Sequence, residues 1–463
     1  MTATLTSTPK RSVTGSLLTI SAAQFLIALD FSVIFVAMPS MSADLDLSGS
    51  AMQWVVSAYS VFFAGFLILG GRIADRIGPR TLFIAALALF GVASLAGGLA
   101  AGAAVLLIAR AAQGVAAAAL QPSILALLNT SFEAGRERTR AMAVWGTVGA
   151  SGLAAGVVVG GLLTTVSWRW TFFVNLPFAL ICVLAAPRFL AQATARAPKR
   201  LNVLSAVVCT ATVLASVFGL TFAAGEGWGA PSTLISFGAA VVGLVVFVLR
   251  ERGGGGEPLI ERSLRGTRTL LVGCGATALY MASVAGVEFY MVTLFLQENR
   301  GMAPLAAGIA FLPLAVCITL GNMIAGRIIP KVGVGVSTPI AFLVGAAGLV
   351  LLALGVHTTS YWTGMLPGLI VSGLGHGMIY TSMFVGGTRD VDDANQGVAG
   401  ALMTTSQYAG GALGVAVLVI LLGDGPADSR FLPGFLLAAA IAAVGALWSW
   451  RGFAGLRGKD SVA

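Results

Sequence analysis

The stretch GGRIADRIGPR, Gly70 to Arg80, packs four charged side chains (Arg72, Asp75, Arg76 and Arg80) into a chain of 463 residues of which only 10% are charged. On either side the sequence is apolar, from Phe62 to Gly71 before it and from Thr81 to Ile108 after it. Far downstream it has an echo: Gly71-Arg-Ile-Ala-Asp-Arg-Ile-Gly78 returns as Gly326-Arg-Ile-Ile-Pro-Lys-Val-Gly333. A short polar knot set between long apolar runs, and used twice, reads as a loop joining membrane helices.

Working outward, the apolar runs account for most of the chain. The hydrophobic fraction is 57% and the mean hydropathy is +0.93, which excludes an ordinary globular surface. Many runs reach the about 20 residues a helix needs to cross a bilayer's hydrocarbon core. The alternation that a membrane β-barrel requires is absent. The reading is an all-α polytopic membrane protein with spans near 15–39, 51–71, 81–101, 103–129, 141–165, 171–187, 203–223, 231–249, 269–297, 304–327, 338–356, 361–385, 398–422 and 431–451.

Fourteen spans put both termini on one side. With that side cytoplasmic, all of the 27 basic residues except Arg110, Arg169, Arg300 and Arg430 fall inside, as the excess of Lys and Arg in cytoplasmic loops demands. The net charge of +9 therefore reports orientation, and nucleic acid is not an expected partner. Cys182, Cys209, Cys274 and Cys317 all lie in apolar spans, so neither a disulfide framework nor a metal site is expected. No phosphate-binding G-x-x-x-x-G-K-[ST] and no H-E-x-x-H occur, and there are two histidines, so no catalytic residues and no cofactor are expected.

The two copies of the knot follow spans 2 and 10. A repeat of the first six spans beginning at span 9 leaves spans 7 and 8 as an insertion. The expected domains are a six-helix bundle over 1–190, an inserted pair with its loops over 191–268, and a second six-helix bundle with a short tail over 269–463. Internal repeats of this kind are typical of secondary transporters.

Ionisable groups at membrane depth are costly and mark function by default. Asp30 and Glu288 each lie nine residues before the outer end of their span, at Pro39 and Gln297, in the first helices of the two repeats. Arg110 shares one helical face with Gln113, Gly114, Ala117 and Gln121, a stripe that cannot face lipid. Asp30, Glu288 and Arg110 are the candidate proton-coupling residues. The competing reading makes Arg110 a structural residue on backbone carbonyls and each acid a fixed partner of an arginine. Span 2 offers a polar face in Gln53, Ser57 and Ser60. Met281, Met291 and Phe295 form a soft apolar face beside Glu288, and His376 shares a face with Tyr380. These residues, with Gln113 and Gln121, are the candidate substrate cavity. His376 reads either as a neutral hydrogen-bonded histidine or as a proton relay.

Four motifs in order resemble the fourteen-helix drug:proton antiporter family of the major facilitator superfamily. They are ALDFSVIFVAMPSM (28–41), GGRIADRIGPR (70–80), LIARAAQGVAAAALQPS (107–123) and WRWTFFVNLP (168–177). The resemblance spans essentially the whole chain. It implies the major facilitator fold, proton-driven export, and a conformational latch built by Gly71, Asp75, Arg76, Gly78 and Arg80. The family's helix 5 motif is matched by GASGLAAGVVVGGLL (149–163), where Gly149, Gly152, Gly156, Gly160 and Gly161 allow close packing. It departs at Val157, where the family carries proline.

The expected function is a proton-coupled efflux transporter working by alternating access on a small lipophilic drug or antibiotic, cationic ones included. The expected setting is the inner (plasma) membrane of a bacterium, as a monomer in the lipid bilayer. The rivals are an exporter or proton symporter of a metabolite and, further off, an intramembrane enzyme or a receptor.

Overall fold

A computed structural model describes residues 12–47, 49–132, 136–192, 203–252, 264, 266–392, 396–422 and 427–454. Among them the regular structure is all helical. The first half holds α1 (Val13–Leu45), α2 (Gly49–Ile77), α3 (Pro79–Gly98), α4 (Ala103–Ser131) and α5 (Arg136–Thr164). It continues through α6 (Trp170–Phe173), α7 (Asn175–Phe189), α8 (Val203–Glu226) and α9 (Pro231–Arg252). After α10 (Arg268–Tyr280), a π turn over Met281–Ala285 leads into α11 (Gly286–Leu294), and a second covers Phe295–Asn299. Then come α12 (Pro304–Ala310), α13 (Leu312–Val332), α14 (Val334–Gly355) and α15 (Tyr361–Gly364). The chain closes with α16 (Leu366–Thr388), α17 (Gln396–Leu422) and α18 (Ala427–Gly452).

Eleven helices among the described residues are long and apolar enough to cross a membrane, and Ala155–Thr164 and Val207–Ala223 are shorter apolar stretches. Several expected spans are broken, and proline explains three of the breaks. Pro177, Pro313 and Pro367 each follow an interruption, at Val174, Phe311 and Met365. A proline has no N–H to offer the carbonyl one turn back, and its ring crowds that carbonyl.

The echoed motif folds the same way twice. Gly78 (φ +87°) separates α2 from α3, and Gly333 (φ +76°) separates α13 from α14. Each donates its N–H back one turn, Gly78 to Ala74 O at 3.0 Å and Gly333 to Ile329 O at 2.8 Å. Both sit in the left-handed region, where a side chain would be strained.

Two main cores result. One joins Ile20, Tyr59, Phe83, Phe90, Leu120 and Phe132 of the first half. The other joins Tyr280, Val284, Phe342, Leu352, Leu369 and Phe435 of the second. Glycines let the helices within each half close up. A Cβ added at Gly152 or Gly156 of α5 would lie 2.9 Å and 2.6 Å from the α1 carbonyls of Phe25 and Leu29. Helix α8 packs on α2 through Trp54 and Phe218, with ring centroids 5.4 Å apart. Helix α9 lies outside it, with Ile235, Val241, Val242 and Leu249 exposed, the surface expected of a helix facing lipid.

Candidate functional site

The polar stripe of α4 turns inward and builds a buried network. Gly114 lets the α2 backbone come close, since an added Cβ would strike the Tyr59 carbonyl. That approach brings Val55 O within 3.0 Å of Arg110 Nε, which donates to it. Arg110 Nη1 donates to Asp30 Oδ2 and to Gln113 Oε1, both at 2.9 Å. Asp30 Oδ1 accepts from Gln113 Nε2 at 2.9 Å and from Asn175 Nδ2 at 2.6 Å. Gln113 Nε2 also donates to Ser94 Oγ at 2.9 Å. The guanidinium lies over the Tyr59 ring, 4.6 Å from its centroid.

Asp30 and Arg110 are each 1% exposed, so this is an ion pair held out of water with nearly all its hydrogen-bonding capacity used. Such a pair is tolerable because the geometry is good and both charges have further partners. The sequence singled out Asp30, Arg110 and Gln113. It missed Asn175 and Ser94. Asn175 was within reach, as the polar residue of the WRWTFFVNLP motif, whereas Ser94 is a lone hydroxyl in an apolar run.

Glu288 has a different setting. It is 0% exposed, and one oxygen accepts from Ser372 Oγ of α16 at 2.5 Å. Its Oε2 has no partner among the described residues, and neither has His376 Nδ1. Ser372 and His376 stand one turn apart on α16. His376 meets the Tyr280 ring edge-on at 4.9 Å and Phe289 at 6.2 Å.

Between the two halves lies a cavity of about 150 Å³, walled by α1, α2, α4 and α5 on one side and by α10, α11, α13, α16 and α17 on the other. Its polar groups are Gln24, Gln121, Asn322, His376, Thr404 and Gln407. Gln24 Oε1 accepts from Trp145 Nε1 at 2.9 Å, and Asn322 Oδ1 from Thr381 Oγ1 at 2.8 Å. Phe31, Phe63, Tyr380 and Tyr408 supply aromatic surface. A second cleft of about 350 Å³ is lined by Phe35, Met38, Pro39, Met52, Tyr290 and Gln297. Phe31 faces the first cavity and Phe35 the second, and their rings pack edge-on at 5.6 Å.

Of the residues expected to line the cavity, Gln121, Met281, His376 and Tyr380 do so. Met291 is buried instead against Gly434 of α18, and Phe295 against Phe431, with centroids 5.0 Å apart. The π turns account for this, because an extra residue in a turn rotates everything beyond it away from the 3.6-residue face. Gln113 belongs to the buried network. Ser57 and Ser60 are half-buried off the cavity, Ser60 bonded to Val56 O at 3.4 Å. The Gln53 side chain lies outside the described residues, as does that of Asp75.

At the loop, Gly71 faces Pro122 of α4 at 3.8 Å from an added Cβ, Arg76 is exposed, and Arg80 Nη1 donates to Leu190 O at 3.3 Å. On α5, Gly149 faces Gln24, Gly160 faces Val33, and Gly161 is buried. Among the described residues no cluster of His, Cys, Asp and Glu could hold a metal ion.

Residues 20–415 match the profile of the Major Facilitator Superfamily. The chain belongs to the major facilitator superfamily. This major facilitator protein is 39% identical over 415 residues to a puromycin resistance protein of Streptomyces alboniger, covering 87% of this chain and 80% of that one. It is 34% identical over 421 residues to a cephamycin export protein of Amycolatopsis lactamdurans, covering 90% and 86%. The fold of the superfamily is matched by a D-xylose–proton symporter at TM-score 0.67 and 14% identity, over 95% of this chain and 97% of that one.

Proposed function

We propose that this major facilitator protein is a proton-coupled exporter of small lipophilic drugs or antibiotics, working by alternating access. The observation that carries the reading is a cavity walled by both halves of the chain, next to a fully buried carboxyl group with an unpartnered oxygen, Glu288. The names of the relatives agree, since they print resistance and export.

In this reading the chain crosses the membrane fourteen times, because α6 with α7, α10 with α11, α12 with α13 and α15 with α16 each make one pass. Residues 1–190 and 269–463 are the two moving bundles, and 191–268 carry the inserted pair. The basic loops hold both termini in the cytoplasm. The protein works as a monomer in a bacterial plasma membrane, with the Gly71–Arg80 loop latching the cytoplasmic side.

The two acids divide the labour. Asp30, held by Arg110, Gln113 and Asn175, ties α1 to α4 and α7 and keeps that half rigid. Glu288 carries the exchangeable proton. As an anion it would leave Oε2 buried and unpaired, a cost that proton uptake removes, and its release to the cytoplasm completes the cycle. The electrical gradient supplies about 2.3 kcal/mol per charge per 100 mV.

The test is Glu288→Gln in proteoliposomes with an imposed pH gradient. Uphill export should fall at least about tenfold, equivalent to 1.4 kcal/mol, while substrate counterflow without a gradient continues. Undiminished uphill export by this variant would remove Glu288 from the coupling role.

A further inference from the structure

The cavity wall carries aromatic rings, amides and hydroxyls, with one imidazole and no carboxylate, lysine or arginine among its lining residues. The sequence limits where a countercharge could come from. Of the 18 acidic residues, only Asp30 and Glu288 stand away from the ends of the apolar runs and the loops between them. Neither reaches the cavity lining. Asp30 is taken by three donors, one of them the guanidinium of Arg110. Glu288 is enclosed and held by Ser372. A cation entering the cavity would therefore lose hydration and meet no opposite charge. An anion would be no better placed, because Arg110 is itself buried on Asp30.

Aromatic faces attract cations, and that is the one force here that could favour them. The available rings already pack on one another: Phe63 and Tyr408 at 4.6 Å, Phe31 and Tyr408 at 6.3 Å, Tyr280 and Tyr380 at 6.2 Å. Such attraction recovers only part of the hydration that a buried, unpaired ion gives up. An uncharged aromatic molecule loses much less. Gln24, Gln121, Asn322 and Gln407 can donate to its carbonyls and accept from its hydroxyl or amide groups.

We infer that the cargo is electrically neutral: uncharged aromatic molecules bearing carbonyl, amide or hydroxyl groups are taken in preference to lipophilic cations of the same size. The inference rests on the exporter reading for the direction of transport. It rests on the cavity wall alone for the choice of charge.

The experiment uses the full chain with two naphthalimide dyes of one ring system, one with a neutral hydroxyalkyl tail and one with a trimethylammonium tail. Binding is read by fluorescence on the purified protein. Transport is read in vesicles under a pH gradient, with the membrane potential clamped to zero so that charge alone does not drive the cation. The neutral dye should bind at least about tenfold more tightly than its quaternary partner and be the one exported. Gln407→Glu, which places a carboxylate on the wall, should shift the ratio of the two affinities toward the quaternary dye by about tenfold. Equal or better binding and export of the quaternary dye by the unaltered protein overturns the inference and leaves the exporter reading standing. Selective binding of the neutral dye with no pumping overturns the exporter reading and leaves the charge selectivity standing. Failure to bind either dye overturns the inference.

Discussion

At the scale of single residues, the pair Asp30–Arg110 and the acid Glu288 show how differently two buried carboxyl groups can be furnished. Asp30 accepts from a guanidinium and two amides, whereas Glu288 accepts from one hydroxyl and keeps an oxygen free. Arg110 also carries the Val55 carbonyl and the Tyr59 ring, so removing it strips three contacts at once. Arg110→Ala should lower stability by about 3–5 kcal/mol, the usual result of leaving one member of a buried ion pair alone, and should abolish transport. Arg110→Lys keeps the charge but loses the planar fork that serves Asp30, Gln113 and Val55 together, so it should recover little. Thermal unfolding of the purified variants, read beside their transport, checks both. A stable, active Arg110→Ala protein would make the guanidinium dispensable. The three members Asp30, Arg110 and Gln113 were legible as polar residues at membrane depth. Asn175 and Ser94 complete the network from α7 and α3, and no spacing in the chain announces that those helices meet α1 and α4 there.

Among the elements, α5 against α1 is the packing most exposed to a single change. Gly149, Gly152, Gly156 and Gly160 form a face along which α1 lies in near contact. At Gly156 a Cβ would lie 2.6 Å from Leu29 O and would also strike Ser32 Oγ. Gly156→Ala should therefore cost about 1–3 kcal/mol, as overpacking does, despite alanine's better helix propensity. Gly238→Ala on the outer helix α9, where an added Cβ meets nothing within 4 Å, should be neutral or slightly stabilising. Melting temperatures of the two variants in one detergent make the comparison. If Gly156→Ala melts at or above the unaltered protein, the close packing at that glycine is not needed. The glycine spacing was readable, but its partner helix was not, because small residues say that something approaches without saying what. The face beside Glu288 failed for another reason. The two π turns flanking α11 shift the angular register, which sends Met291 and Phe295 into the core and leaves Met281 on the cavity.

For the whole molecule, what matters is where the two halves touch. Helix α12 comes against α5 at Gly308, where an added Cβ would lie 2.7 Å from the Val157 carbonyl. Val157 is the residue that stands where the family carries proline, and it is 3% exposed within this contact. A bulky side chain at Gly308 would wedge the halves apart at one end of the cavity. It would bias the alternating cycle without altering the cavity wall, since a population shift needs only a difference between the two states. Gly308→Leu should reduce transport about tenfold while changing substrate affinity less than about threefold. Parallel loss of affinity and rate would place the defect in the cavity instead.

The amino-acid pattern by itself determined the material of this protein. Apolar runs of membrane length call for helices, since only a helix satisfies its own backbone in lipid. The uneven placement of Arg and Lys sets an orientation. The repeated Gly-Arg-Ile motif marks two equivalent turns, which Gly78 and Gly333 make with the same backbone shape. Those are local properties, carried by neighbours in the chain. What only the tertiary structure decided is which side chains share a space. Asp30 meets Arg110 across 80 positions and Asn175 across 145, and Glu288 meets Ser372 across 84. The cavity exists because ten helices and turns from both halves each turn a few uncharged residues toward it. Proline breaks and π turns chose those residues by rotating each helix, and rotation is a property of packing that no period in the sequence encodes.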